Sequence, residues 1–373
     1  MKKRIFVGFA LIVLLAVGGC INLFFPEKGE KVEGECNHKW VWVLTNRVPK
    51  ESIEICAKCR LTRGNPRLDT VIKMTWIPAG TFIMGSPNGA NRTITEPNRL
   101  GYETQHSVTL TKGYYMGVYQ VTQAQYKAVM NGSNPSYFKG DSRPVESVNW
   151  YHAIVFCNRL SMAEGLSPAY YIPHYDSTNP AVWGTIPTGN NDANWDAVQV
   201  VAGSTGYRLP TEAQWEYAAR GDYPNKAREV NTKPFGIGDG TKVISGMANF
   251  NGTYPYDVTR RPPGHYNDST GIYLARTTDV GSYPANNYGL YDMHGNVYEW
   301  CWNWFGYYNT SFKTSTEPEA GENEDPAGSP AGTLRVLRGG SWFSGGDSLR
   351  SAFRASGEPH WREYDNGFRL LRP

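Results

Sequence analysis

Apolar residues along the chain fall into three textures. Ile5 to Val17 is an unbroken apolar run behind Met1-Lys-Lys-Arg4. Trp40-Val-Trp42-Val and Ile53-Glu54-Ile55 alternate, which predicts strands on either side of a turn. From Thr70 onward short apolar stretches alternate with turn residues, and three of them carry helix signals. Thr122-Gln-Ala-Gln125 and Thr211-Glu-Ala-Gln214 place Thr at an N-cap with Gln three residues later, the capping-box arrangement. They predict helices from Thr122 to near Gly132 and from Thr211 to Gly221. Trp150, Ile154, Phe156 and Leu160 recur at near-helical spacing, so a third helix starts at Ser147 or Asn149 and runs to about Ala163 with one face in the core. Strands are predicted at Met74–Ile77, Thr81–Met84, Ser107–Leu110, Tyr115–Val118 and Leu334–Leu337. Asp176–Ala202 and Phe312–Gly332, rich in Asn, Gly, Thr and Pro, read as long surface loops, and no tandem repeat is present.

Composition narrows the class. Aromatics make up 13% of the 373 residues, with 12 Trp and 24 Tyr beside 40 Gly, which suits many turns pinned by large rings and argues against a helical bundle or a disordered chain. The first segment resembles a bacterial lipoprotein signal: a basic n-region, an apolar run too short to be a comfortable membrane helix, and a Val17-Gly-Gly-Cys20 box. That resemblance implies cleavage before Cys20 and lipidation of its thiol, a membrane anchor that does not span; an ordinary cleaved signal with a coincidental Cys is the alternative. The formal charge of +3 resides in Lys2, Lys3 and Arg4, so the mature chain is neutral and has no general pull toward nucleic acid. Residues 20–35 form a polar tether. Residues 36–64 form a small module in which Cys36, His38, Cys56 and Cys59 converge across a hairpin as a zinc ribbon, and the metal would explain how so few apolar residues fold. A disulfide between two of the three cysteines is the competing reading in an oxidising compartment.

The body of the chain carries an ordered series of motifs. Trp76-Ile-Pro-Ala-Gly80-Thr-Phe-Ile-Met-Gly85 is followed by Gly113-Tyr-Tyr-Met-Gly-Val-Tyr-Gln-Val-Thr122 and Pro144-Val-Glu-Ser-Val-Asn-Trp150. Next come Gly206-Tyr-Arg-Leu-Pro-Thr-Glu-Ala-Gln-Trp-Glu-Tyr-Ala-Ala-Arg220 and Tyr288-Gly-Leu-Tyr-Asp-Met-His-Gly-Asn-Val-Tyr-Glu-Trp300. Arg338-Gly-Gly-Ser-Trp342 and Gly367-Phe-Arg-Leu370 close the series. Together they resemble the formylglycine-generating-enzyme/sulfatase-modifying-factor family over residues 70–373. The resemblance implies an α+β fold, the irregular C-type-lectin fold of that family, with short strands, few helices and long loops. It also locates the family's copper-binding cysteine pair, three and eight residues after the Ser of Gly-Gly-Ser. Here those positions are Ser344 and Leu349, so no copper and no enzymatic oxidation of a substrate Cys are expected. A family disulfide joins the position of Cys157 to that of Leu370, so Cys157 and Cys301 are expected to be buried free thiols. The resemblance further implies calcium held by Asn249 and Phe250 and by Gly295, Asn296, Val297 and Glu299, hard oxygen donors on irregular backbone. Glu299 holding the turn through backbone N–H groups is the alternative.

The last residues combine two kinds of position. Arg338, Gly339, Gly340, Ser341, Trp342, Arg350, Ser351, Ala352, Arg354, Pro359, Arg362, Gly367, Phe368 and Arg369 match the family pattern as a frame. Between them stand Phe343, Ser344, Gly345, Asp347, Ser348, Leu349, Phe353, Ala355, Ser356, Gly357, Glu358, His360, Trp361, Glu363, Tyr364 and Asp365. Most of these types arise from an Asn codon changed at its two adenines; Trp and Glu do not. The segment resembles the variable region, here about 338–370, of proteins diversified by adenine-mutating retroelements, and the layout is most like the treponemal variable protein type. Aromatics with Ser, Gly and Asp are also the residues of binding loops. Phe343, Phe353, Trp361 and Tyr364 would anchor a ligand, with a core role for Phe343 and Phe353 as the alternative. The expected function is a lipid-anchored, surface-displayed protein that binds a protein or glycan ligand. A family enzyme with a changed site and a structural envelope lipoprotein are the other readings.

Overall fold

The structure, a computed structural model, describes residues 72–87, 96–221, 233–260, 263–308 and 323–373, together with the backbone of three strands near the N-terminus. The chain divides into two units, Met1–Pro66 and Arg67–Pro373. In the first, Trp40–Leu44, Ser52–Cys56 and Thr62–Arg63 form an antiparallel meander, with Trp40 opposite Cys56 and Leu44 opposite Ser52. Cys20, Cys36, His38, Cys59 and the side chain of Cys56 lie outside the described residues, and with them the lipidation and zinc expectations.

Helices of the larger unit begin where their caps dictate. Helix α1 is Gln123–Val129 and α4 is Glu212–Arg220; Thr122 and Thr211 each close a complete capping box with Gln125 and Gln214. Helix α2, Trp150–Ala163, is capped by Asn149, whose side chain accepts from the His152 amide. Helix α4 stops at Gly221, whose φ of 69° is left-handed and suits glycine. Predicted strands appear at Met74–Ile77, Gly80–Met84, His106–Leu110, Tyr114–Gly117 and Arg335–Arg338, each within about a residue of its expected place.

Two regions depart from expectation. Tyr298–Trp304, absent from the predicted strands, is the longest described strand: its aromatics at 298, 300, 302 and 304 alternate with Glu299, Cys301 and Asn303, and it is the side with the two polar residues that is fully buried. Asp176–Ala202 is not a bare loop: it holds a 3-10 turn at Pro180–Val182, the short helix α3 (Ala193–Asp196) and a strand at Gln199–Val200 paired with Tyr170–Tyr171. Trp183 and Trp195 are fully buried there and pack edge to face, so apolar burial organises an otherwise polar stretch.

The sheets bring the chain ends of the unit together. Tyr114–Gly117 is flanked on one side by Met74–Ile77 and on the other by Leu371–Arg372. A four-stranded sheet runs Ala355–Gly357, Arg335–Arg338, Tyr298–Trp304 and Asn366–Gly367, the last pair parallel. The C-terminal segment thus contributes four strands to two sheets, and its intervening loops are held between them.

Candidate recognition face

Five buried glutamates from outside the C-terminal segment fix its frame arginines. Arg354 Nε and Nη2 donate to Glu212 Oε1 and Oε2 at 2.6 and 2.7 Å, and its Nη1 donates to Gly306 O at 2.8 Å. Arg350 Nη1 donates to Glu96 Oε2 (2.8 Å) and Glu103 Oε2 (2.7 Å), and its Nη2 to Glu103 Oε1 (3.0 Å). Arg369 makes a two-pronged pair with Glu299 at 2.7 and 2.8 Å. Arg338 pairs with Glu216, which also accepts from Arg220 and from the Gly85 amide at 2.8 Å. These four arginines are buried. Burial alone would depress the guanidinium of Arg350, but Glu103 and Glu96 overcome it and hold the group above the ordinary arginine value; Glu212 does the same for Arg354. Planar, two-pronged pairs of this kind fix direction as well as position.

Between these anchors the side chains sort by exposure. Phe343 is 59% exposed, Tyr364 46% and Trp361 43%, and Glu363 is exposed. Gly345, Asp347, Ser348, Phe353, Ala355, Ser356, Glu358, His360 and Asp365 are half-buried. Some of these are already engaged. Ser344 Oγ accepts from the Ser341 amide and donates to Tyr298 OH, and Asp365 Oδ2 accepts from Ser341 Oγ at 2.9 Å. His360 Nδ1 lies 2.7 Å from Asn191 Oδ1.

Three positions correct the sequence reading. Leu349 is fully buried with Phe235, Val243, Phe250 and Tyr256, and its carbonyl accepts from His294 Nδ1–H at 2.7 Å; it is core and offers a ligand nothing. Gly357 is buried in a strand opposite Arg335, and a Cβ there would stand 3.0 Å from the Trp300 ring. Arg362, assigned to the frame, is exposed.

Trp342 is the hub of the face. Its ring meets Phe138 at 5.2 Å, Phe343 at 5.5 Å, Tyr364 at 5.7 Å and Tyr273 at 6.2 Å. Tyr137, 72% exposed, continues the patch through Phe138 and Tyr364. Tyr137 and the Ile272-Tyr273-Leu274 loop are thus exposed members of the face that lie outside the C-terminal segment, and sequence reasoning missed them. Glu146 Oε1 accepts from the Phe138 amide at 2.7 Å and fixes the first flank. The second is fixed where the backbones of Gly252 and Gly271 touch: a Cβ on Gly271 would fall 1.8 Å from Gly252 O, so only glycine fits. The apolar triplet in a Gly- and Asp-rich stretch was the available signal.

Among the described residues the two thiols lie away from solvent. Cys157 and Cys301 are free, buried, and pushed far above the ordinary thiol range by burial. His294 accepts from the Gly236 amide at Nε2 and donates from Nδ1 to Leu349, so both ring nitrogens are committed; burial lowers it to about 4. The calcium candidates are similarly occupied. Asn249 Nδ2 donates to Asn296 Oδ1, which also accepts from the Thr278 amide, and Glu299 is paired with Arg369 and Trp215.

The sulfatase-modifying factor enzyme 1-like domain model matches residues 59–373. The chain belongs to that family. Among curated relatives, the chaperone protein LppX of Paenibacillus barcinonensis is 34% identical over 273 residues, 71% of this chain and 82% of its own. The formylglycine-generating enzyme of Streptomyces coelicolor is 28% identical over 329 residues, 84% of this chain and 90% of its own. Among solved structures, Treponema denticola variable protein 1 superposes with a TM-score of 0.58 at 29% identity, covering 91% of this chain and all of that one. The fold is therefore the C-type-lectin variant of the family, and its likeness extends to a variable protein as well as to enzymes.

Proposed function

We propose that this family member is a lipid-anchored, surface-displayed binding protein whose C-terminal segment presents a diversified recognition face. The observation that carries the reading is the division within residues 338–369: Arg338, Arg350, Arg354 and Arg369 are clamped to buried glutamates, while Phe343, Trp361, Glu363 and Tyr364 between them face solvent. Such a frame lets surface residues change without moving the backbone that carries them. Exposed Tyr and Trp on a rigid support are also the anchors that interfaces use most. Tyr137, Ile272, Tyr273 and Leu274 form a constant flank to the changing centre. The ligand is a protein or a glycan reached from a membrane through Cys20. The two positions that would hold a catalytic thiol pair carry Ser344 and Leu349, which supports binding over oxidation.

Sequencing codons 338–370 across a population of cells tests the proposal. Substitutions should concentrate at the exposed and half-buried positions and spare Arg338, Arg350, Arg354 and Arg369, and a near copy of this stretch should lie beside a reverse-transcriptase gene. An even spread of substitutions, or stoichiometric copper binding with oxidation of a peptide Cys by the mature protein, would overturn it.

A further inference from the structure

Asp292 and the turn from Gly295 to Glu299 aim four oxygens at one point. Gln120 Nε2 stands there, 3.2 Å from Asp292 O, 3.2 Å from Gly295 O, 3.0 Å from Val297 O and 3.0 Å from Glu299 Oε1. Three are carbonyls and the fourth belongs to a carboxylate, so none can donate. Only a hydrogen-bond donor or a cation can occupy the centre. Gln120 is 1% exposed, and its Oε1 accepts no hydrogen bond. The amide is therefore oriented by its nitrogen alone, at the cost of a buried oxygen without a partner. The turn needs this support because Asp292, Gly295 and Asn296 all have positive φ, at 56°, 98° and 66°.

Charge decides against a metal in the same place. Calcium takes six to eight oxygens at about 2.3–2.6 Å and is favoured by anionic ligands. Glu299 is the carboxylate in the cradle, and Arg369 neutralises it with two hydrogen bonds while Trp215 Nε1 takes a further place on Oε2 at 2.7 Å. The Asp292 carboxylate is turned elsewhere, its Oδ2 accepting from the Gly281 amide at 2.7 Å. As they stand, these residues do not fit the calcium ion that the family resemblance implies for this turn.

We propose that the Gln120 amide is a built-in replacement for a cation in this cradle. It bridges the same oxygens without a charge, so the turn keeps its shape whether or not calcium is available. The consequence reaches the C-terminal segment directly. Glu299 sits in the strand beside Gly367, and its other partner is Arg369. A cradle that emptied with falling calcium would loosen one of the frame clamps; a neutral amide removes that dependence.

Thermal melts of the full mature chain in excess EDTA and in millimolar calcium, for the native sequence, Gln120→Glu and Gln120→Ala, test this. The native protein should melt at the same temperature in both buffers. Gln120→Glu sets a second carboxylate against Glu299, so it should melt lower in EDTA and rise in calcium by roughly 5 °C. Gln120→Ala removes the bridging N–H donors and adds no charge, so it should melt below the native protein equally in both buffers, and an Ala variant as stable as the native protein would overturn the proposal should Gln120→Glu fail to fold. A calcium-dependent rise in the native protein, or one calcium bound to it in titration calorimetry, would overturn the proposal, since the amide would then have turned to present Oε1 to the ion. A folded Gln120→Glu variant that ignores calcium would overturn it too, because the oxygens would not be a cation cradle even with a second carboxylate.

Discussion

Arg354→Met separates frame from face most sharply. The methionine keeps much of the aliphatic length and removes the guanidinium. Glu212 then loses both close partners, at 2.6 and 2.7 Å, and keeps only Arg338 Nε at 3.5 Å; the carbonyl of Gly306 loses its donor as well. Both Arg354 and Glu212 are almost fully buried, so water cannot replace what is lost. Breaking one side of a buried pair costs about 3–5 kcal/mol. At roughly 2 °C per kcal/mol for a unit of this size, the melting temperature should fall by about 6–10 °C. Phe343→Ser is the control. Phe343 is 59% exposed, so it hides only about 80 Å² of its side chain, an upper limit of about 2 kcal/mol. The double variant Arg354→Met/Glu212→Met removes both charges and should recover at least half of the loss, since an apolar pair replaces a broken ionic one. Calorimetric melts of the three variants decide it. If Arg354→Met melts no lower than Phe343→Ser, the arginines do not hold the segment and the division into frame and face fails.

Three further outcomes follow from buried groups. Burial raises the Asp292 carboxyl to about 6, so the folded state keeps its proton longer than the unfolded state, and stability falls as pH rises from about 4 to 6. Asp292→Asn, which still accepts from the Gly281 amide, should therefore stabilise by up to about 3 kcal/mol at pH 7 and by almost nothing at pH 3.5 in chemical denaturation; an equal effect at both values would refute the cause. Cys157 and Cys301 should react with a thiol reagent only under denaturing conditions, and labelling of the native protein would show that the packing around them is wrong. Trp342→Ala should lower stability by about 3–5 kcal/mol and also abolish ligand capture, because the hub of the aromatic patch is itself 5% exposed; capture that survives would put the ligand elsewhere.

How much of this was legible in the sequence depended on range. Caps at Thr122, Asn149 and Thr211 are local, with donor and acceptor within a few residues, and all three mark real helix starts. The motif order was enough to identify the family. The strand Tyr298–Trp304 was missed although its aromatics alternate: its fully buried side carries Glu299 and Asn303, whose partners Arg369 and the Glu212 amide lie far along the chain. The frame arginines could be picked out by type, but their partners could not: Glu103 stands 247 residues from Arg350, and Glu212 stands 142 from Arg354. Tyr137 and Tyr273 join the face only through tertiary contacts with Trp342 and its neighbours. Residue type alone also could not separate Phe343, which projects, from Leu349, which fills the core.

That last distinction bears on the two positions at which the family resemblance places a cysteine pair. Ser344 is half-buried and tied to Ser341 and Tyr298, while Leu349 lies in the cluster beneath and holds His294 through its carbonyl. Neither position supplies a projecting anchor. The exposed rings sit beside them, at Phe343, Trp361 and Tyr364, and on the two flanks. A thiol pair needs fixed separation; Ser344 and Leu349 make no such demand, one serving as a loop tie and the other as a core residue. Both residues belong to the floor under the face. On the proposed binding reading, recognition is carried by the rings beside them, where side chains can change at little cost to the fold, and the floor is kept because it supports them. Diversification at codon 349 should accordingly be confined to residues that a closed apolar cluster can hold, while codons 343 and 364 should carry nearly any residue.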